Sequence, residues 1–221
     1  MKIRTLAEFE ESLDNDLGWR KKEITNFKFL IGKENRQHYK ELLLRSAIAI
    51  LYSHWEGHIK HCALCYLHLI NKQGVVCGKL QDNFAHLMLG VEFGKDINLK
   101  NIHLQKKVFE YIANIYHSQF KITPELTIDT ESNLKYEVLE KISLQIGVSL
   151  EKFTLRENFI NEVLLNGRNN IAHGTRLDVK QIEKTYAEIE DDLLAMIQEF
   201  HNIVRNAAVT KAYLKHVVST I

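Results

Sequence analysis

Between Leu164 and Asp178 the chain reads LLNGRNNIAHGTRLD, and at its centre an arginine, two asparagines and a histidine, Arg168, Asn169, Asn170 and His173, are of types that do chemistry. Arg168 carries a planar guanidinium that stays charged at any useful pH. His173 titrates near neutrality and is suited to giving or taking a proton. Asn169 and Asn170 fill the space between them. A cation pair gathered at a helix end has an evident use, which is to meet an anion. The same residues also suit a purely structural part: Arg and His complement the carbonyl end of a helix dipole, and the asparagines fray a last turn.

Gly174 is a natural residue just past a helix end, and Asp178 a natural N-cap, so GTRLD reads as a tight turn between two helices. That puts His173 in the last turn of a helix running from LRENFINEVLL. Arg168, five residues earlier, is not quite above His173 on a helical wheel, but its long side chain can swing toward the same terminus. Asp178 with Gln181 forms a capping box that opens a long helix from Val179 to at least Val204.

Further upstream the pattern is again helical. Thr5 and Glu8 form another capping box, followed by Leu6, Phe9, Leu13 and Leu17 at helical spacing. A second helix of roughly 35 to 40 residues spans about Glu34 to Lys72, with Leu43, Ala47, Ile50, Leu51, Trp55, Ile59, Cys62 and Leu69 as its apolar stripe. From Gly74 to Asp129 the pattern is less regular: GVVCGK reads as a turn, DNFAHLMLGVEFG as a short helix and NIHLQKKVFEYIANIYHSQF as a longer one. KITPELTIDTES, which holds Pro124, reads as a loop. NLKYEVLEKISLQIG is a helix ended by Gly147. With no alternating strand pattern, the fold class is all-α, in one domain over residues 1–221.

Composition narrows the function. Of 221 residues, 45% are hydrophobic and 26% charged, the balance of a folded domain rather than a disordered chain. The net charge of +1 lacks the basic excess of a protein that grips long nucleic acid through phosphate neutralisation, although a small site meeting one or two phosphates needs no such excess. Three cysteines, no export signal and no membrane-length apolar run fit a cytoplasmic protein without a disulfide framework.

Arg168-x4-His173, with Asn after the Arg and Ile-Ala before the His, resembles the Arg-x(4–6)-His signature of the HEPN superfamily. A weaker likeness lies in LYSHWEGHIK, where Trp55-Glu56-Gly57 is similar to one HEPN branch often found at toxin or defence loci. The likeness is specific over about fifteen residues, weaker in the second helix and missing from 74–129, which reads as a helical addition to a HEPN-like bundle. The resemblance implies a metal-independent endoribonuclease. In that reaction the RNA's own 2′-hydroxyl attacks the adjacent phosphorus and leaves a cyclic phosphate and a 5′-hydroxyl. It needs a base, an acid and cationic donors on the phosphorane. His173 suits proton transfer and Arg168 the clamp on phosphate oxygens. Asn169 is placed to orient the histidine or bond a phosphate, with Asn170 beside it.

One chain supplies one motif histidine where the reaction wants both acid and base. A twofold homodimer that pools both copies of Arg168 and His173 in a shared cleft meets the need, and HEPN members commonly build their site so. The resemblance also brings Trp55 and Glu56 near the motif helix, with Glu56 holding Arg168 or His173 by a charge-assisted bond, and Tyr52 is a further candidate on the same helix. RNA is the implied substrate, with an antitoxin or regulatory protein as restraint and no membrane partner.

Rival constellations are weaker. The second helix carries His54, His58, His61, Cys62, Cys65 and His68, but CALC sits mid-helix without the turn of a zinc knuckle, and no metal or other cofactor is assigned. No phosphate loop, His-Glu-x-x-His or Gly-x-Ser-x-Gly occurs. The alternative function is a non-catalytic helical module that binds a partner protein or a nucleotide.

Overall fold

A computed structural model describes residues 3–94, 100–175 and 178–215. Its helices, in chain order, are α1 (Leu6–Lys33), α2 (Gln37–Gln73), α3 (Asp82–Phe93), α4 (Ile102–Ile115), α5 (Pro124–Thr127), α6 (Tyr136–Ile146), α7 (Asn166–Ala172) and α8 (Val179–Val209). Among the described residues there is no strand, only isolated bridges between Val76 and Gln119 and between Leu80 and Leu214. The all-α expectation holds. None of the helices among the described residues is long and apolar enough to cross a membrane.

The scaffold is α1, α2 and α8. The hydroxyl of Thr5 accepts the Glu8 N–H at 3.1 Å and the Glu8 carboxylate accepts the Thr5 N–H at 3.2 Å, which closes the capping box that starts α1. Phe9, Leu13, Leu17, Ile24 and Ile31 then bury one face. That face runs antiparallel to α2: Phe9 meets Tyr66 near one end, and Arg20 meets His54 further along. α8 lies parallel to α2, since Lys40 pairs with Glu183 and the His58 ring stacks on that of His201.

α2 is buried nearly all round from His54 to Ile70, as a helix with neighbours on every side must be. The expected stripe was therefore too narrow. Leu43 and Ile50 are half-buried, while Leu44, Ile48, Ala63, Tyr66 and Ile70 fill the core. Two smaller corrections concern the middle of the chain. KITPELTIDTES contains the single turn α5, with Pro124 at its start, where a missing N–H costs no hydrogen bond. GVVCGK contains a 3-10 turn, Cys77–Lys79.

A larger correction lies just before the motif. The expected straight helix from Leu155 to His173 begins as a 3-10 stretch, Glu151–Arg156. It then widens into a π-helical segment, Phe159–Leu165, before α7 resumes α-geometry. The i→i+5 bonds of a π turn shift every later residue around the helix axis relative to an α-helical continuation. This segment sets the direction in which Arg168 leaves its helix.

Candidate functional site

α7 ends in a Schellman motif. The Gly174 N–H bonds the Ile171 carbonyl at 3.1 Å and the Thr175 N–H bonds the Asn170 carbonyl at 2.9 Å. Gly174 sits at φ +69°, in the left-handed region that a side chain would strain. His173 is the C-cap, its N–H bonded to the Asn169 carbonyl at 2.9 Å, and the residue is exposed. Arg45 of α2 donates to the Thr175 carbonyl and ties this turn to the scaffold. On the far side, Asp178 and Gln181 form the expected capping box. Arg176 and Leu177, in the middle of the expected GTRLD turn, lie outside the described residues.

Arg168 points elsewhere than expected. Its guanidinium does not extend toward the helix terminus but stands over the Tyr52 ring, 4.4 Å from the centroid. It donates to the Ser132 carbonyl and, at 2.9 Å, to the Asn133 side-chain oxygen. The extended planar cation fits this stack because an aromatic face attracts it.

The loop that receives Arg168 was not singled out from sequence. Residues 130–134 connect α5 to α6 and are gripped at several points. The Tyr52 hydroxyl accepts the Leu134 N–H at 2.6 Å, and Glu56 accepts the Thr130 hydroxyl at 2.6 Å. Just beyond, the Tyr136 N–H donates to the side chain of Asn161 in the π-helical segment. Glu131 and Ser132 both hold φ +55°, a left-handed conformation that costs non-glycine residues of order 1–2 kcal/mol each. The surrounding bonds hold them there and aim the Ser132 carbonyl at Arg168.

Glu56 thus reaches Arg168 only through the loop, not by the direct charge-assisted bond expected of it. Tyr52 is closer to the site than its neighbours suggested. Burial pushes its phenol up, and the Glu56 charge adds to this while Arg168 opposes it, so the hydroxyl stays protonated and neutral. Tyr52→Phe leaves the buried Leu134 N–H without its acceptor, at a cost of about 1–3 kcal/mol. The expected result is faster hydrogen exchange at Leu134 with the ring contact to Arg168 retained.

Trp55 is a core residue rather than a site residue: it is fully buried and packs against Phe153, with ring centroids 6.1 Å apart. Gly57 has a clear physical role. A Cβ there would lie 2.9 Å from the Arg20 guanidinium, so the glycine makes room for a buried arginine. Arg20 in turn grips Asp16 through two bonds, at 2.7 and 3.0 Å. Burial raises the Asp16 carboxyl, but the hydrogen bonds from His58 and Arg20 outweigh it and hold the group far below the ordinary carboxylate range.

α2 therefore presents two working faces. Tyr52 and Glu56, one helical turn apart, face the 130–134 loop; His54, His58 and Cys62 face α1 and α8. The other α2 histidines go to separate partners, His38 to the Tyr39 ring, His61 to Ser12 and His68 to Glu125.

A family model described as RiboL-PSP-HEPN matches residues 15–207. Neither the curated proteins nor the solved structures contain a match to the chain.

Proposed function

This chain belongs to the RiboL-PSP-HEPN family, and on that premise we propose that it is an endoribonuclease whose site is built around Arg168 and His173. HEPN proteins are associated in general with RNA cleavage. The observation that carries the proposal is the arrangement at α7. An exposed histidine ends the helix, and the arginine behind it is held over Tyr52 and against Ser132 and Asn133. His173 moves a proton to or from a ribose 2′-oxygen or a leaving 5′-oxygen. Arg168 holds the phosphate oxygens as charge builds on phosphorus. No metal is required at the scissile phosphate.

Acid and base come from two copies of His173 in a twofold dimer. Exposed Tyr39 and Leu42 support this reading, because they lie on the same end of α2 as Arg45, which bonds the motif turn. Asn169 and Asn170 line the helix end. Glu56 and Tyr52 act through the loop they hold. The likeness of Trp55-Glu56-Gly57 to the branch found with toxin and defence systems supports a reading with RNA as substrate and an antitoxin as restraint. Residues 1–221 form one domain in this reading, and 74–129 are an addition to the minimal bundle.

The test is incubation with total RNA in the presence of a chelator, followed by mapping of the ends. Cleavage leaving 2′,3′-cyclic phosphates and 5′-hydroxyls supports the proposal. RNA left intact at micromolar protein both with the chelator and without it would favour the non-catalytic helical module instead.

A further inference from the structure

We propose that His58, Cys62 and His201 bind a single zinc ion that braces α2 against α8, on the face of α2 turned away from Tyr52 and Glu56. One ligand atom from each of the three lies within 4.8 Å of the others, and all three residues are buried. The Cys62 sulfur is 3.3 Å from His58 Nε2. The rings of His58 and His201 are stacked, 6° from parallel with centroids 5.7 Å apart.

The second nitrogen of each histidine is already committed. His58 Nδ1 is 2.7 Å from an Asp16 oxygen, and His201 Nε2 is 3.2 Å from an Asp14 oxygen. A carboxylate behind each imidazole fixes the ring and its tautomer, leaving the inward nitrogen with a lone pair, as in the outer shell of a histidine metal site. On His201 that inward nitrogen is Nδ1. It is buried and has no hydrogen-bond partner. A buried polar atom without a partner needs an explanation, and a cation supplies one.

The donor set selects the metal. One thiol sulfur and two imidazole nitrogens suit zinc and exclude magnesium and calcium, which take oxygen. Zinc bond lengths place tetrahedral S and N ligands about 3.6 Å apart, so the Cys62–His58 pair is already close to that spacing. An imidazole lone pair lies in the ring plane, so the parallel His201 ring must turn and move inward to meet the same ion, and the exposed Asp14 is free to follow it. A water completes four ligands. Burial keeps both histidines below their ordinary range and hence neutral, the form that ligates. The same burial holds the Cys62 thiol protonated, so binding has to displace its proton: zinc takes the sulfur as thiolate and one proton passes to solvent. The charges then balance: zinc offsets the thiolate and Asp14, while Arg20 offsets Asp16.

His58 and Cys62 lie one turn apart on α2, and that pair alone does not make a metal site. The third ligand comes from α8, far along the chain.

The experiment is metal analysis of full-length protein, purified without a metal-affinity tag, together with absorption spectra after Co²⁺ loading. We expect about one zinc per chain and a thiolate-to-cobalt charge-transfer band. Both should be lost in Cys62→Ser and kept in Cys65→Ser. Wild-type protein with neither zinc nor the cobalt band would overturn the proposal, as would a folded Cys62→Ser that retains its zinc. Should Cys62→Ser fail to fold, the wild-type zinc content and cobalt spectrum decide. Neither readout depends on RNA cleavage, so this inference and the ribonuclease proposal stand or fall separately.

Discussion

His173→Ala is expected to slow RNA cleavage by roughly two to four orders of magnitude, the usual worth of a positioned proton-transfer group. The substitution should leave the fold intact. The residue is exposed, and the bonds that close the helix end come from the backbone of residues 169–175, which alanine preserves. In the proposed twofold dimer the substitution removes both histidines of the shared cleft, acid and base together, so the loss should lie toward the upper end of that range. Mixing experiments sharpen the point. When subunits exchange, a wild-type chain paired with a His173→Ala chain keeps only one of the two histidines, so activity falls faster than the fraction of wild-type chains. Initial rates on total RNA measure the first effect, a titration of variant into wild type the second, and sedimentation of both proteins reports whether the proposed dimer forms. A variant that cuts at the wild-type rate would remove His173 from the chemistry.

How far this was readable in advance depended on the range of the interactions involved. Thr5 with Glu8, Asp178 with Gln181, and the stops at Gly147 and Gly174 are signals spanning a few residues, and each appears where the sequence pointed. The π-helical segment was invisible because Ile160, Leu164 and Gly167 are buried at spacings that suit an ordinary α-helix. Nor does any local pattern reveal the 130–134 loop. Its importance comes from bonds to Tyr52, Glu56 and Arg168, all distant in sequence. The Trp-Glu-Gly run was recognisable as a pattern, yet its physical content differs from residue to residue. The tryptophan packs the core, the glutamate holds the loop and the glycine clears space for Arg20. Three adjacent residues can have three unrelated physical roles, and only the packing separates them.

That clearance for Arg20 leads to the largest expected effect on stability. Asp16 and Arg20 are paired at the α1–α2 interface with side chains 11% and 8% exposed, and Asp16 also accepts from His58 and, at 3.2 Å, from Trp19. Asp16→Ala strands the guanidinium in the interior. Breaking a buried pair from one side costs about 3–5 kcal/mol, because the remaining charge has lost its partner but not its burial. For a domain of this size the corresponding fall in Tm is on the order of 10 °C. The double variant Asp16→Ala, Arg20→Met should recover much of the loss, since no charge is left behind; the recovery separates stranded charge from lost packing. Glu10→Ala provides the contrast. It breaks the pair with Arg205, which is 44% exposed, and an exposed ion pair contributes about 0–1 kcal/mol. Urea denaturation of the three variants beside the wild-type protein measures these differences. Equal losses for Asp16→Ala and Glu10→Ala would mean that the buried network contributes no more to stability than an exposed pair. A double variant as unstable as Asp16→Ala alone would assign its loss to packing rather than to charge.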